Sequence, residues 1–269
     1  MPYATNQGIR IHYEVEGSGP PLVLQHGLTS RLESWYDRGY VAALRSDYRL
    51  ILIDARGHGQ SDKPHDATLH GVMLMATDVI AVLDDLSIAN AHYFGYSMGG
   101  IIGWALAKQR PDRIASFILG GSHPYVGRSE PYGLSREWFE ERITVLQQGM
   151  AAYVASMEAQ VGPMPPEQKA LLLQNDADAL IATCSAALRD SPNLDDILRT
   201  MTMPCLVFSG DADFVYAGVK ECVRHMPNVT FVSLPGLNHG QAIQRSDLVL
   251  PHVTTFLAEA SQATSKQPA

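Results

Sequence analysis

Tyr93-Phe94-Gly95-Tyr96-Ser97-Met98-Gly99-Gly100 is the stretch on which the fold turns. It lies where an apolar, strand-like run, Ala91 to Tyr96, hands over to a helical pattern over Gly99 to Lys108. A serine between glycines at such a handover has the Gly-x-Ser-x-Gly form, in which a sharp turn pushes the hydroxyl out of the sheet. Gly95 and Gly99 have a steric task, because a Cβ at either would collide with the backbone passing alongside. The N-terminus of the following helix stabilises negative charge that develops nearby.

Outward from this turn, short aliphatic runs alternate with helical patterns. On the N-terminal side Ile9 to Val15 alternates like a half-exposed strand. Gly17-Ser18-Gly19-Pro20 then breaks it before Leu22 to Leu24, which predicts an edge hairpin opening the sheet. Leu50 to Ile53 and a helix over Met73 to Leu86 follow, and Ile114 to Leu119 lies beyond the serine. This βαβ rhythm predicts a mostly parallel sheet with helices on both faces. It stops at Gly120-Gly121-Ser122 and resumes at Pro204, with strands over Cys205 to Ser209 and Val229 to Leu234 and helices over Ala217 to His225 and Leu248 to Ala260. Between these points no run reads as a strand. Arg136 to Gln148, Ala151 to Gln160, Glu167 to Asn175, Ala177 to Leu188 and Leu194 to Thr202 read as helices, punctuated by Gly149, Pro163, Pro165 and Pro166. The expected organisation is an α/β core over 1–121 and 203–260, a helical cap over 122–202, and a small, polar, flexible tail over 261–269.

The length of 269 residues suits one such domain with an insertion, since single cores stop growing at about 250 to 300 residues. A formal net charge of −8 lacks the basic footprint that a phosphate backbone demands, which argues against a nucleic-acid partner. No apolar run approaches the roughly 18 residues of a membrane helix, and Met1 to Arg10 lacks the pattern of a signal peptide, so a cytoplasmic location is expected. Three scattered cysteines, Cys184, Cys205 and Cys222, read as buried reduced thiols.

A serine hydroxyl is a weak nucleophile until a histidine removes its proton and a carboxylate orients that histidine. Both residue types follow the helical insert. Phe208-Ser209-Gly210-Asp211-Ala212-Asp213 ends one strand with two carboxylates, and Leu234-Pro235-Gly236-Leu237-Asn238-His239-Gly240 ends the next with a histidine. Carboxyl ends of strands are where open α/β sheets place their sites, and the order Ser, Asp, His suits this architecture.

With these motifs the chain resembles the α/β-hydrolase superfamily, in its capped esterase, lactonase and C–C hydrolase branch. The likeness covers nearly all of the chain except the cap. His26-Gly27 is similar to the family's oxyanion loop, which implies that the backbone N–H groups of Leu28 and Met98 form the oxyanion hole. Asp54-Ala55-Arg56-Gly57-His58-Gly59-Gln60-Ser61 is similar to the family's Asp-x-Arg-Gly-x-Gly-x-Ser loop. The family pattern also implies Asp213, rather than Asp211, as the acid beside Ser97 and His239. Tyr216 departs from the pattern, since many relatives carry proline after the acid loop.

The remaining polar residues divide into structural and functional readings. His26, Arg56 and His58 are expected to brace loops. Trp35 and Tyr36, His123 and Trp138 are pocket candidates, each weighed against ordinary packing, as are the cap aromatics and methionines Phe139, Met150, Tyr153, Met157 and Met164. Arg128, Arg136 and Arg142 are weighed as contacts for an anionic substrate against a solvated cap face, and the solvated face is expected. His65 and His70 have no trusted metal-ligand spacing, and no full Gly-x-Gly-x-x-Gly exists, so neither metal nor dinucleotide nor other cofactor is expected. The implied activity is hydrolysis of a small, largely apolar ester or lactone through an acyl-enzyme on Ser97. C–C bond hydrolysis and cofactor-free perhydrolysis use the same triad. A ligand receptor that keeps the hydrolase shell is the rival from another class.

Overall fold

Strands buried on both faces form the middle of the sheet, and their sequences are correspondingly unbroken runs of apolar residues. The computed structural model describes residues 2–128, 132–190 and 192–264. Its strands are β1 (Tyr3–Asn6), β2 (Ile9–Glu16), β3 (Pro21–Gln25), β4 (Arg49–Ile53), β5 (Ala91–Tyr96), β6 (Ile114–Gly120), β7 (Cys205–Gly210) and β8 (Val229–Leu234). They make one sheet in the order β1-β2-β4-β3-β5-β6-β7-β8. The first two pairings, β1 with β2 and β2 with β4, are antiparallel, and all those from β4 onward are parallel. Every residue of β5 and β7 is buried, whereas β8 at the far edge is mostly half-buried or exposed.

The opening of the sheet differs from the expected hairpin. Ile9 to Val15 does not pair with Leu22 to Leu24. Its antiparallel partners are β1, reached through a tight turn with Gln7 and Gly8 at positive φ, and β4. The Gly17 to Pro20 break therefore carries the chain past β4 rather than back along β2, so that β3 can enter the parallel part of the sheet between β4 and β5.

Helices cover both faces. Alternate residues of β5 divide between two cores: Tyr93 packs with α3 (Val72–Asp85) and α4 (Met98–Gln109) on one side, and Phe94 packs with residues of α1 (Glu33–Asp37) and α2 (Tyr40–Leu44) on the other. Between β6 and β7 lie α5 (Arg136–Leu146), α6 (Met150–Val161), α7 (Pro166–Leu173) and α8 (Ala177–Arg189), with no strand among the described residues. The expected fifth helix of this stretch is a 3-10 turn over Asp195–Thr200. After β7 come α9 (Tyr216–Val223), α10 (His239–Gln244) and α11 (Ser246–Thr264). The last of these runs four residues into the segment expected to fray, and 265–269 lie outside the described residues. No described helix is long and apolar enough to cross a membrane.

Asp54 to Ser61 is the polar anchor of this fold. The Asp54 carboxylate, wholly buried at the end of β4, accepts from the Leu32 and Gln60 N–H groups at 2.9 Å each, and its Oδ2 lies 2.8 Å from His12 Nδ1. Burial pushes this carboxyl up, but hydrogen bonds from His12, Gln60 and Leu32, together with nearby His26, hold it below the usual carboxylate range. Arg56, also buried, donates from Nε and Nη2 to the two oxygens of Asp78 on α3 at 2.6 and 2.5 Å. Asn6 on β1 adds a third hydrogen bond to Asp78 at 2.7 Å. The pair thus ties the β4 loop, α3 and the outermost strand together.

Removing one partner of such a pair strands a buried charge. Asp78→Ala is expected to destabilise the fold by about 3–5 kcal/mol, read as a lowered urea midpoint at unchanged m-value. A shift of only a few tenths of a kcal/mol would mean that water replaces the carboxylate and that the pair is not an anchor.

Candidate active site

Ser97 lies between β5 and α4 with φ +55° and ψ −117°, a conformation that side-chain-bearing residues seldom adopt. Its N–H donates to the Gly120 carbonyl at 2.9 Å, and its own carbonyl accepts from Ile101 N–H at 3.0 Å, so the neighbouring strand β6 and the helix α4 hold the turn. The glycines answer to the tightness of this packing. A Cβ on Gly95 would stand 2.2 Å from the Gly99 carbonyl oxygen, and one on Gly99 would stand 2.1 Å from that of Gln25.

His239 is the first residue of α10, and the helix is started by a reciprocal cap. The Asn238 side chain accepts from Gln241 N–H, and the Gln241 side chain accepts from Asn238 N–H, each at 3.0 Å. The Tyr96 hydroxyl donates to the His239 carbonyl at 2.5 Å from beneath. So held, the imidazole reaches both other candidates: Nε2 lies 2.9 Å from Ser97 Oγ, and Nδ1 lies 2.8 and 3.0 Å from the two oxygens of Asp213. Val215 N–H at 3.1 Å and Ser209 Oγ at 3.3 Å also donate to the Asp213 carboxylate. Asp211 points elsewhere, accepting from Gly236 N–H at 2.6 Å across the neighbouring turn. Tyr216, where relatives place proline, opens α9 and bonds Ser233 on β8, which leaves the acid loop intact.

Two cavities meet at Ser97 and His239. One is an open cleft of about 800 Å³ with mixed walls, where polar Thr29, Ser30, Gln168 and Asn175 stand beside apolar Leu171 and Ile243. The other is a narrow apolar lobe of about 60 Å³ beneath the helical insert, lined by Met75, Ile101, Val126, Leu134, Phe139 and Val215 among others. Leu28 borders both, and Met98 borders the lobe. Trp138 also lines the lobe, where Arg142 stacks over its indole at 4.0 Å; that arginine is thus half-buried against aromatic rings rather than part of a solvated face.

Two pocket expectations need correction. Trp35 does border the cleft, but it is only 1% exposed, with its ring packed edge-on against Tyr40 and Phe94. Tyr36 lines neither cavity, because the helical turn of α1 swings it toward the sheet edge, where its hydroxyl donates to Glu14 at 2.8 Å and Glu16 at 3.2 Å. His123 lines neither as well: its Nε2–H donates to the Tyr132 carbonyl at 2.6 Å, its Nδ1 accepts from Tyr125 N–H at 3.1 Å, and the ring is fully buried.

Other residues reach the site without having been singled out. Phe214, next to the acid and 42% exposed, places its ring 4.9 Å from that of His239 and stacks on Trp138. His70 and Thr183, hydrogen-bonded at 2.9 Å, bring polar atoms to the lobe and join the insert to the core. Cys184 also borders the lobe; burial pushes its thiol up to about 11, so it stays protonated and inert. Cys205 and Cys222 are likewise free and buried. His65 pairs with Asp176 at 3.1 Å and lies near Asp178, a surface cluster between core and insert. His26 accepts from Ala55 N–H at 3.1 Å and donates to the Gly27 carbonyl at 2.8 Å, bracing the loop beside Ser97.

An eight-stranded, mostly parallel sheet with helices on both faces and a serine elbow after β5 defines the α/β-hydrolase class. The chain belongs to the alpha/beta hydrolase fold family, whose model matches residues 20–194, and it is a hydrolase of that family. It is 30% identical over 275 residues to a non-heme chloroperoxidase of Streptomyces lividans, covering 94% of this chain and 98% of that one. It is also similar to the 3-oxoadipate enol-lactonase 2 of Acinetobacter baylyi, 26% identical over 213 residues, or 78% of each chain. Among solved structures, the enol-lactonase of Burkholderia xenovorans LB400 superposes with a TM-score of 0.83 at 27% identity, covering 96% of this chain and 100% of that chain.

Burial holds His26, His58, His70, His92 and His123 below the usual imidazole range, His58 at about 3 and His123 at about 4. In the unfolded chain each takes up a proton near pH 6.5, so between that value and the native ones the unfolded state binds more protons. Stability is therefore expected to fall as pH drops from about 6.5 toward 4, by on the order of 1–2 kcal/mol per fully buried imidazole at pH 5. Urea midpoints between pH 7.5 and 4.5 measure this, and a midpoint that stays flat down to pH 5 would contradict it.

Proposed function

We propose that the protein hydrolyses a carboxylic ester or lactone through an acyl-enzyme on Ser97. The observation that carries this reading is the line of hydrogen-bonding distances from Ser97 Oγ through His239 to Asp213, 2.9 and then 2.8 Å, at the meeting point of a cleft and an apolar lobe. Nδ1–H of His239 donates to Asp213, which leaves Nε2 unprotonated and able to take the serine proton as Oγ attacks the carbonyl. The backbone N–H groups of Leu28 and Met98 receive the oxyanion. Met98 is the first residue of α4, where an N–H has no partner within the helix. The imidazolium returns its proton to the leaving oxygen, and water, activated by the same nitrogen, releases the acid.

The helical insert over 122–202 serves as a cap that closes the lobe over one substituent of the carbonyl. A lobe of about 60 Å³ has room for about four to six waters, at some 10–15 Å³ each, so this substituent is short, of about four to six non-hydrogen atoms at most. The larger part of the substrate then occupies the cleft.

The likeness to the Streptomyces lividans chloroperoxidase supports a second reading on the same machinery. Hydrogen peroxide, replacing water in attack on the acyl-enzyme, would release a peracid and regenerate the serine hydroxyl.

p-Nitrophenyl esters of increasing acyl length test the proposal. Activity is expected to hold up to acyl chains of about six carbons and to fall with longer ones. Ser97→Ala is expected to lower kcat by about 10⁶. Turnover that survives this substitution would remove Ser97 as nucleophile. Adding peroxide and a bromide-dependent dye separates the second reading, since peracid formation raises halogenation in step with loss of ester.

A further inference from the structure

The open cleft carries three cations, Arg31, Arg38 and Lys63, against two carboxylates, Asp37 and Glu167, in a chain whose net charge is −8. Two of the cations are committed to protein groups. Arg31 donates to Gln174 Oε1 at 2.8 Å and approaches Glu33 at 3.5 Å, while Lys63 donates to the Gly59 and Ser61 carbonyls at 2.5 and 3.1 Å.

Arg38 differs. It caps the C-terminus of α1, lines the cleft together with Ser97, Tyr96 and His239, and has no carboxylate within 4.0 Å of its guanidinium among the described residues. Tyr40, Tyr96, His26 and Asp37 are the titratable groups that face it. The Tyr40 and Tyr96 hydroxyls already donate to the Ile243 and His239 carbonyls, His26 is neutral and committed to the Gly27 loop, and the Asp37 side chain is exposed to solvent. Burial lowers the guanidinium from its ordinary range, and the surrounding tyrosines and Asp37 do not restore it. Arg38 is partly exposed to the cleft, and a planar, forked donor that faces a cleft without a counter-charge is matched by a carboxylate.

We infer that Arg38 receives a carboxylate borne by the part of the substrate that lies in the cleft, so that the protein prefers acidic esters or lactones over neutral ones. This rests on the hydrolase reading above. The narrow lobe takes the short side of the scissile carbonyl, and the cleft takes the longer, anionic side. The surplus of positive charge in the cleft works in the same direction, drawing an anion toward the serine across a protein that otherwise repels it.

The test compares 4-acetoxybenzoate with its neutral isostere 4-acetoxybenzamide, because the acetyl group suits the lobe and the ring then extends into the cleft. The wild-type protein is expected to favour the acid by about 10- to 100-fold in kcat/KM, the range of a hydrogen bond to a charged group. The gain should lie mainly in KM and weaken with added salt. Arg38→Met, which keeps the stem, is expected to collapse the acid-to-amide ratio toward one, and Arg38→Lys to restore part of it. A ratio near one in the wild type, or one that Arg38→Met leaves unchanged, overturns the inference while Ser97-dependent turnover of the amide keeps the esterase reading. If neither ester is turned over, calorimetric titration of 4-hydroxybenzoate into wild type and Arg38→Met still decides the anion site: binding that needs Arg38 supports it, and equal or absent binding in both removes it.

Discussion

The arrangement depends on one close crossing, where the start of α4 passes over the end of β3 with Gly99 against the Gln25 carbonyl. No side chain fits there, and Ser97 is driven into its unusual backbone conformation by the same crowding. The strain has a use. It aims Oγ away from the sheet and toward His239, and it directs the first N–H groups of α4 to the same side. Ordinary strand-to-helix geometry would put the hydroxyl along the sheet face, out of reach of residues contributed by β7 and β8.

Around that point the structure separates rigid and adjustable parts. The imidazole is positioned from every direction: Asp213 at one nitrogen, a reciprocal helix cap behind it, the Tyr96 hydroxyl at its carbonyl, and Phe214 against its ring. The loop that carries Leu28 is fixed through Asp54 and His26, which are buried and hydrogen-bonded. The cleft walls, in contrast, are held by exposed contacts such as Arg31 with Gln174, which contribute little to stability and yield readily.

Much of this was legible in the chain because the determining signals are local. Gly95 to Gly99, the Gly-x-x-Asp run and the Asn-His pair after β8 each depend on a few consecutive residues, and so do the unbroken aliphatic runs of β3 to β7. Strand neighbourhood was not local. Nothing in Ile9 to Val15 indicates that it pairs with β4 rather than with Leu22 to Leu24, since that choice is made by where the chain returns 40 residues later. Tyr36 and His123 were misplaced for a related reason: closeness in sequence to a site loop says nothing of side-chain direction. Arg38 was passed over because what distinguishes it, a charge without a partner, exists only once the rest of the chain has folded around it. The helix beginning at His239 was not among the expected elements, although Asn238 and Gln241 form the pattern of a capping box.

β6 and β7 are parallel neighbours, with Gly120 paired to Phe208, so the chain must travel from the top of one strand to the bottom of the next whatever lies between. The helical insert is that obligatory crossover grown large. Its two ends are pinned by the ladder, yet its interior owes nothing to strand register, and lengthening or rebuilding it leaves the serine, the acid and the histidine where they stand. In such a scaffold the helices over the apolar lobe can be altered without moving the strand ends beneath them.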